Sequence, residues 1–335
     1  MITGYTGEKH NKNLIIEDLF KLEPAYKDYL WGGTTLKKKY DKNCRLNKVA
    51  ESWELSAHPD GLCRIATGRF SGETFDNFIN DVGIQALGKK YSDHQEFPLL
   101  IKFIDAQQPL SIQIHPDDIY AEKVEHGQGK TEMWYVVDCE ENAFIYYGLK
   151  EKTSKKEIAE RVKNNSITEI LNKVYVHKGD AFFVQAGTIH AIGKGILICE
   201  IQQNSNSTYR LYDYDRRDKD GNTRELQLNK ALDVVNVDKA DNGCYHHNVR
   251  KHNGYNTQIL AECDYFTTIK YDVTTTADIK VTDDSFVAIT IVDGFGTVED
   301  NTMAIKFKPG DTIFATAGNR QITVSGQCLL LISHM

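Results

Sequence analysis

The tightest constraint on this chain's fold is a stretch that occurs twice. Gly179-Asp180-Ala181-Phe182-Phe183-Val184-Gln185-Ala186-Gly187-Thr188-Ile189-His190 aligns without gaps to Gly310-Asp311-Thr312-Ile313-Phe314-Ala315-Thr316-Ala317-Gly318-Asn319-Arg320-Gln321. The Gly-Asp pair suits a hairpin turn, the apolar middle a buried strand, and Ala-Gly the next turn. Two such hairpin units predict two copies of one β-barrel. The first copy ends on His190, a metal-ligating residue type, and the second on Gln321, so a ligand of the first is missing from the second.

Short strands separated by turns fill the first half. Residues 97–104 (FPLLIKFI) are an apolar run of strand length interrupted by Lys102. Residues 110–115 alternate, with Leu110, Ile112 and Ile114 on one face and Ser111, Gln113 and His115 on the other. Residues 132–137 and 143–147 carry the β-branched and aromatic side chains that strands prefer. Ser154 with Glu157, and Ser166 with Glu169, have capping-box spacing, which predicts two short helices between roughly 154 and 172. Residues 74–90 and 225–235 also show helical periodicity. The polar stretch 238–256 marks the boundary. The expected parts are an N-terminal extension at 1–21, a catalytic domain at 22–245 with helical insertions, and a second β domain at 255–335 without a metal site.

Of the 335 residues, 41% are apolar and 26% charged, an ordinary soluble globular balance. The net charge of −7 argues against binding a nucleic-acid backbone, though a local basic pocket for a small anion remains compatible with it. Seven cysteines, an odd number without a CxxC pair, argue against a disulfide framework and a thiolate zinc site, and for reduced thiols in the cytoplasm. The first 20 residues lack the apolar core of a signal peptide, and no run approaches the roughly 20 residues of a membrane span.

Gln113 and His115 share a strand face, Glu132 opens another strand, and His190 follows a turn. Inside a barrel such positions converge. Two imidazoles, a carboxylate and an amide oxygen suit Zn²⁺, with Fe²⁺ or Mn²⁺ as alternatives. A single strand histidine is more often a satisfied polar residue than a ligand; here the repeat singles out His190. Lys102 sits inside an apolar run, where an unpaired lysine is costly, unless it is an edge lysine reaching solvent. Lys130, two residues before Glu132, points into the same pocket if the strand begins there; otherwise it is a turn lysine. Arg210 lies in a polar, aromatic stretch after a core strand, which suits either a pocket wall or a solvated loop. His58, before Pro59, reads as a turn residue and is not assigned to metal.

These residues carry a resemblance. Trp31-Gly32-Gly33, the block at 51–59 (ESWELSAHP), 102–117 (KFIDAQQPLSIQIHPD), 129–132 (GKTE), 187–191 (GTIHA) and 200–215 (EIQQNSNSTYRLYDYD) follow in the order of type I mannose-6-phosphate isomerase (phosphomannose isomerase). The chain resembles the shorter bacterial form of that family. Gln185, where many cupins have Pro, departs from the pattern only at a turn.

The resemblance implies a mainly β chain of two cupin-like (jelly-roll) β-barrels with short helical insertions. It implies one Zn²⁺ per chain on Gln113, His115, Glu132 and His190, with Lys102, Lys130, Arg210 and, more weakly, Ser111 lining the substrate site. The implied partner is a small hexose phosphate, with neither nucleic acid nor membrane, and oligomeric state is left open. The implied reaction interconverts D-mannose 6-phosphate and D-fructose 6-phosphate through a cis-enediol. Lys130 is the first expected base, its pKa lowered by burial and a nearby cation; Arg210 would stabilise the enediolate or assist ring opening. Lys102 and Ser111 would help hold the phosphate. A cupin oxygenase and a non-catalytic sugar-phosphate-binding cupin are the rival expectations.

Overall fold

The computed structural model describes residues 18–94, 96–218, 220–241, 243–244 and 248–335. Most of the expected extension, and residues 245–247 of the expected boundary, lie outside the described residues.

Two antiparallel sheets form the first half. One has 6 strands, in the order Ala181–Val184, Glu132–Cys139, Ile196–Gln203, Leu99–Ala106, Glu51–Leu55 and Ala25–Lys27. The other has 5, in the order Tyr209–Tyr212, Ile112–Ile114, His190–Ile192, Phe144–Leu149 and Leu171–Tyr175. One apolar cluster, with Ile104, Trp134 and Ile198 from the first and Ile145, Tyr147 and Ile192 from the second, joins them. A 10-stranded sheet takes up the second half. Leu19–Glu23 adds to it, Leu19 pairing with Ala315 and Phe20 with Phe314, so residues 19–21 are part of that sheet. The chain is mainly β and of jelly-roll type, with open sheets rather than closed barrels.

Leu99–Ala106 is buried along its whole length, which is why it reads as a nearly unbroken apolar run. Its two faces have different tasks. Ile101 and Phe103, with Met133, Tyr135 and Cys199, belong to a core shared with Phe286 and Phe314 of the second half. Lys102 and Ile104 face the other way.

The two repeated hairpins dock identically. The amides of Gly179 and Gly310 donate to Val136 and Ile291 carbonyls at 2.8 Å, and the amides of Val136 and Ile291 donate to Asp180 and Asp311 carbonyls at 2.9 Å. Both glycines have positive φ, 97° and 86°, which side chains resist. Gln185 serves its turn without proline, its carbonyl accepting from the Thr188 amide at 3.1 Å.

Lys155–Lys163 starts where expected, with Ser154 accepting from the Glu157 amide at 3.1 Å; the second capping box yields only the single turn Ile167–Glu169, and Ser166 makes no cap bond. The expected helix at 74–90 breaks at Gly83 and Gly88, both at positive φ, into Phe75–Val82, Ile84–Leu87 and Lys89–Asp93. A Cβ at Gly88 would lie 2.5 Å from the Asp284 carbonyl oxygen, so close approach demands glycine there. At 225–235 the helix is shorter, Leu228–Val234. Asp118–Glu125 is a helix the periodicity did not announce; the Asp117 carboxylate caps it, accepting from the Tyr120 amide at 2.8 Å.

The halves are also tied through Lys42, which belongs to a buried ion pair of the first half and reaches the second. Lys42 Nζ lies 2.7 Å from Glu54 Oε1 and donates to the Gly310 carbonyl at 2.5 Å, while Ser52 Oγ donates to Glu54 Oε1 at 2.5 Å. Burial pushes the Glu54 carboxyl upward against the pull of Lys42. Lys42→Met leaves that carboxylate buried without its cation and is expected to cost about 3 kcal/mol of unfolding free energy in urea titrations, most of it recovered on adding Glu54→Met. An unchanged unfolding midpoint in the single variant would show that the pair contributes nothing.

Candidate active site

The register of the two sheets assembles the site. Arg210 pairs with Gln113, and Gln113 with His190, across the 5-stranded sheet. Ile112 and Ile114 pack on the opposite face with Ile158, Leu171 and Ile189. Glu132 opens its strand in the other sheet. His115, Glu132 and His190 offer ligand atoms all within 4.8 Å of one another, and all three are buried.

Backbone carbonyls fix the histidine protons. His115 Nδ1 lies 2.7 Å from the Ser207 carbonyl and His190 Nδ1 2.9 Å from that of Thr188. A carbonyl only accepts, so each Nδ1 donates and each Nε2 presents a lone pair. Those Nε2 atoms stand 3.5 Å from Glu132 Oε2 and Oε1 respectively. Glu132 Oε1 is buried without any hydrogen-bond partner. Gln113 Nε2 is 3.4 Å from His190 Nε2, and turning that amide over brings its oxygen to the same place. Burial, reinforced by Lys130, holds His115 far below the usual imidazole range and His190 at about 4, so both stay neutral. The Lys130 ammonium covers Glu132 Oε2 and His115 Nε2, but Glu132 Oε1 and the His190 Nε2 lone pair still face each other at 3.5 Å, an arrangement that a cation would relieve. The donor set therefore fits a divalent ion.

Beside it runs a row of charges. Trp53, Lys102, Glu200 and Trp134 stand in register across four strands. Lys102 Nζ is 3.6 Å from Glu200 Oε1, 3.8 Å from Glu51 Oε2 and 4.7 Å from the Trp53 ring centre. Trp134 Nε1 donates to Glu200 Oε2 at 2.9 Å and Trp53 Nε1 to Glu51 Oε2 at 2.7 Å. Lys130 Nζ bonds Glu132 and lies 3.1 Å from His115 Nε2 and 3.7 Å from Glu200 Oε1. The lowering expected for Lys130 assumed a cation beside it; with none there, the direction is the opposite. Burial pulls its pKa down, but Glu132 and Glu200 outweigh it and hold the ammonium above the ordinary lysine value. Burial and Glu200 push Glu132 up; Glu200 resists burial because Lys130 and Lys102 hold it down.

A cavity of about 310 Å³ opens above this row, a volume suited to a small molecule. Lys102, Ser111, Gln113, Lys130 and Arg210 all line it, so the structure brings together every expected substrate-site residue; His115, Glu132 and His190 lie beneath its wall. Arg210 Nε donates to Ser111 Oγ at 3.2 Å and Nη1 to the Glu225 carbonyl at 3.0 Å. Arg224, also lining the cavity, is clamped by Asp213, with Nε to Oδ2 at 2.7 Å and Nη2 to Oδ1 at 2.6 Å. His58 stays apart as expected, its Nδ1 accepting from the Asp60 amide at 3.1 Å. Sequence reasoning missed Glu51, Glu200 and Arg224. Glu200 had a signal, a lone acid inside the buried strand Ile196–Gln203.

Two family models match: the catalytic domain of type I phosphomannose isomerase over residues 19–146 and the mannose-6-phosphate isomerase cupin domain over 256–335. Mannose-6-phosphate isomerase ManA of Bacillus subtilis is 36% identical over 321 residues, covering 95% of this chain and 99% of that protein. The chain belongs to the type I phosphomannose isomerase family. Membership makes it an isomerase. The mannose-6-phosphate isomerase of Streptococcus mutans is 32% identical, covering 95% of this chain and 98% of its own length. A crystal structure of a mannose 6-phosphate isomerase from Bacillus subtilis superposes with a TM-score of 0.87 at 33% identity, covering 95% of this chain and 99% of that one. The phosphomannose isomerase catalytic-domain match ends before His190, Glu200 and Arg210, which the full-length relatives span.

Glu132→Gln is expected to lower the divalent metal retained after dialysis several-fold, read by plasma emission spectrometry, because it removes the only anionic ligand. His58→Ala should retain the wild-type amount. Equal metal in Glu132→Gln and wild type would move the metal elsewhere.

Proposed function

We propose that this chain interconverts D-mannose 6-phosphate and D-fructose 6-phosphate through a cis-enediol, with one zinc ion held by Gln113, His115, Glu132 and His190. The observation that carries the metal assignment is the buried Glu132 Oε1, unpaired and facing the unprotonated Nε2 of His190. Zinc bound there supplies Lewis-acid polarisation of a sugar oxygen. The ammonium of Lys130, which now neutralises Glu132, is then available to the cavity.

Charge sets the direction in which the sugar enters. At the inner end three carboxylates, Glu51, Glu132 and Glu200, face two ammonium groups, Lys102 and Lys130. Towards Arg210, the guanidiniums of Arg216 and Arg224 share the single carboxylate of Asp213. Arg224 and Arg216 both press down on the Arg210 pKa, after burial. A phosphate dianion is drawn to this arginine cluster, which leaves C1 and C2 towards Lys130 and Glu200. Lys102, already neutralised by two carboxylates, serves sugar hydroxyls better than phosphate, and Ser111 braces Arg210.

Isomerisation moves one proton between C1 and C2 and another between their oxygens. Glu200, ionised and fixed by Trp134, can accept a proton; Lys130 can donate one. Arg210, partly buried and already oriented, can stabilise charge developing on oxygen.

The direct test is a coupled assay for fructose 6-phosphate formed from mannose 6-phosphate, before and after chelator treatment. Turnover is expected, falling at least tenfold on metal removal and returning with added Zn²⁺. Undiminished turnover by fully metal-free protein would sink the zinc assignment. Arg210→Ala should lower kcat about a hundredfold and raise KM less. Arg224→Ala should raise KM about tenfold or more with a smaller effect on kcat. A normal KM in that variant would place the phosphate elsewhere.

A further inference from the structure

Alternation along Ile196–Gln203 sends Cys199 and Ile201 into the core shared with the second half. Glu200 and Gln202 face the other way, Glu200 into the substrate cavity and Gln202 at the register position opposite Glu132. Gln202 is wholly buried, and the proposed reaction does not use it.

The orientation of its amide follows from what it meets. Nε2 donates to the Gln203 carbonyl at 2.8 Å and to the Ser205 carbonyl at 2.6 Å, and carbonyls only accept. The other end, Oε1, is left buried without a hydrogen-bond partner. An apolar side chain of similar length would avoid that unpaired oxygen, so packing alone does not account for an amide here. What the nitrogen grips does account for it.

Gln203 ends a strand of the 6-stranded sheet, and Tyr209 opens one of the 5-stranded sheet. Residues 204–208 cross between them outside any strand or helix. Backbone bonds anchor the start of this loop, the Asn204 amide donating to the Pro98 carbonyl at 2.8 Å and the Ser205 amide to the Gln203 carbonyl at 2.7 Å. Side chains carry the order onward. Gln202 holds the Ser205 carbonyl, Ser205 Oγ accepts from the Ser207 amide at 3.3 Å, and the Ser207 carbonyl accepts from His115 Nδ1 at 2.7 Å. A chain of hydrogen bonds thus runs from Gln202 to one histidine of the metal site. His190 takes its orientation from Thr188, outside this loop. We propose, on the metal reading above, that Gln202 is a positioning residue of the metal site: it holds the loop at 204–207 so that the Ser207 carbonyl keeps His115 turned with Nε2 towards Glu132.

The test is proton exchange at the histidine Nδ1 positions, read by isotope-edited NMR on the intact metal-free protein, together with zinc affinity from competition with a chromophoric chelator. In Gln202→Met the His115 Nδ1 proton should exchange about tenfold faster than in the wild type, with that of His190 unchanged, and zinc should bind about tenfold more weakly. Ser205→Ala, which removes a single hydroxyl, should move both readings the same way by about threefold, and it carries the test if Gln202→Met does not fold. A His115 proton as well protected in the variants as in the wild type, equal acceleration at His115 and His190, or unchanged zinc affinity would each overturn the proposal. Wild-type protein that binds no zinc would overturn the metal reading instead, and the exchange comparison would still decide whether Gln202 holds His115.

Discussion

Five ionisable side chains, Glu51, Lys102, Lys130, Glu132 and Glu200, are buried together, none more than 8% exposed. An isolated ion in such a place is penalised by several kcal/mol, so each must hold its partners in place or the sheet loses stability. Register is what supplies the partners. Lys102 stands opposite Glu200, with Trp53 and Trp134 flanking them, and each indole N–H takes one carboxylate oxygen. A one-residue slip of Leu99–Ala106 would drive Lys102 into the phenylalanine core and put Ile101 or Phe103 in the cavity. The charge cluster thus depends on the strand alignment, and the alignment is selected against slippage by the cluster. Substitution of one member acts on all of them.

The same alternation explains what the second half does. A sheet with a polar, cavity-forming face needs its other face covered, and Phe286 and Phe314 cover it together with Phe20, Phe75 and Phe97. The repeated Gly-Asp turn survives in the second copy because it docks: Gly310 receives Lys42, and Lys21 pairs with Asp311 at 2.6 Å. Lys42 holds Glu54, on the strand that presents Glu51 to the cavity and Trp53 to Glu51. Gln321, where the first copy has His190, is exposed and pairs in register with Lys280. The turn was retained for packing and the ligand was not, which separates the two functions of one motif.

Local pattern made a good part of this legible. Two-residue alternation was enough to put Gln113 and His115 on one face, and the repeat was enough to place His190 after its turn. Lys102 announced itself by interrupting an apolar run. What escaped was the consequence of pairing between distant strands. Glu200 and Glu51 matter because of what lies opposite them, and the direction of the Lys130 pKa is decided by two carboxylates that local sequence does not place beside it. Arg224 escaped for the same reason, since its importance comes from Asp213 and the cavity edge. The interrupted helix at 74–90 is a different failure. Its apolar spacing continues across Gly83 and Gly88, but backbone conformation at those two residues does not.

The cavity's opposed ends bear on catalysis as well as on binding. At the buried inner end of the cavity the field of fixed charges is screened far less than in water. On the proposed function, a sugar phosphate approaching the arginine cluster would be oriented by its dianion before any hydroxyl is recognised, and the reacting carbons would arrive where Lys130 and Glu200 already stand. Glu200 is immobilised beforehand, by an indole and two lysines. Little reorganisation then remains for the proton-transfer step, because folding has already oriented the dipoles and charges it needs. On that reading, the buried charges that constrain the fold are the same ones that the proposed chemistry would use.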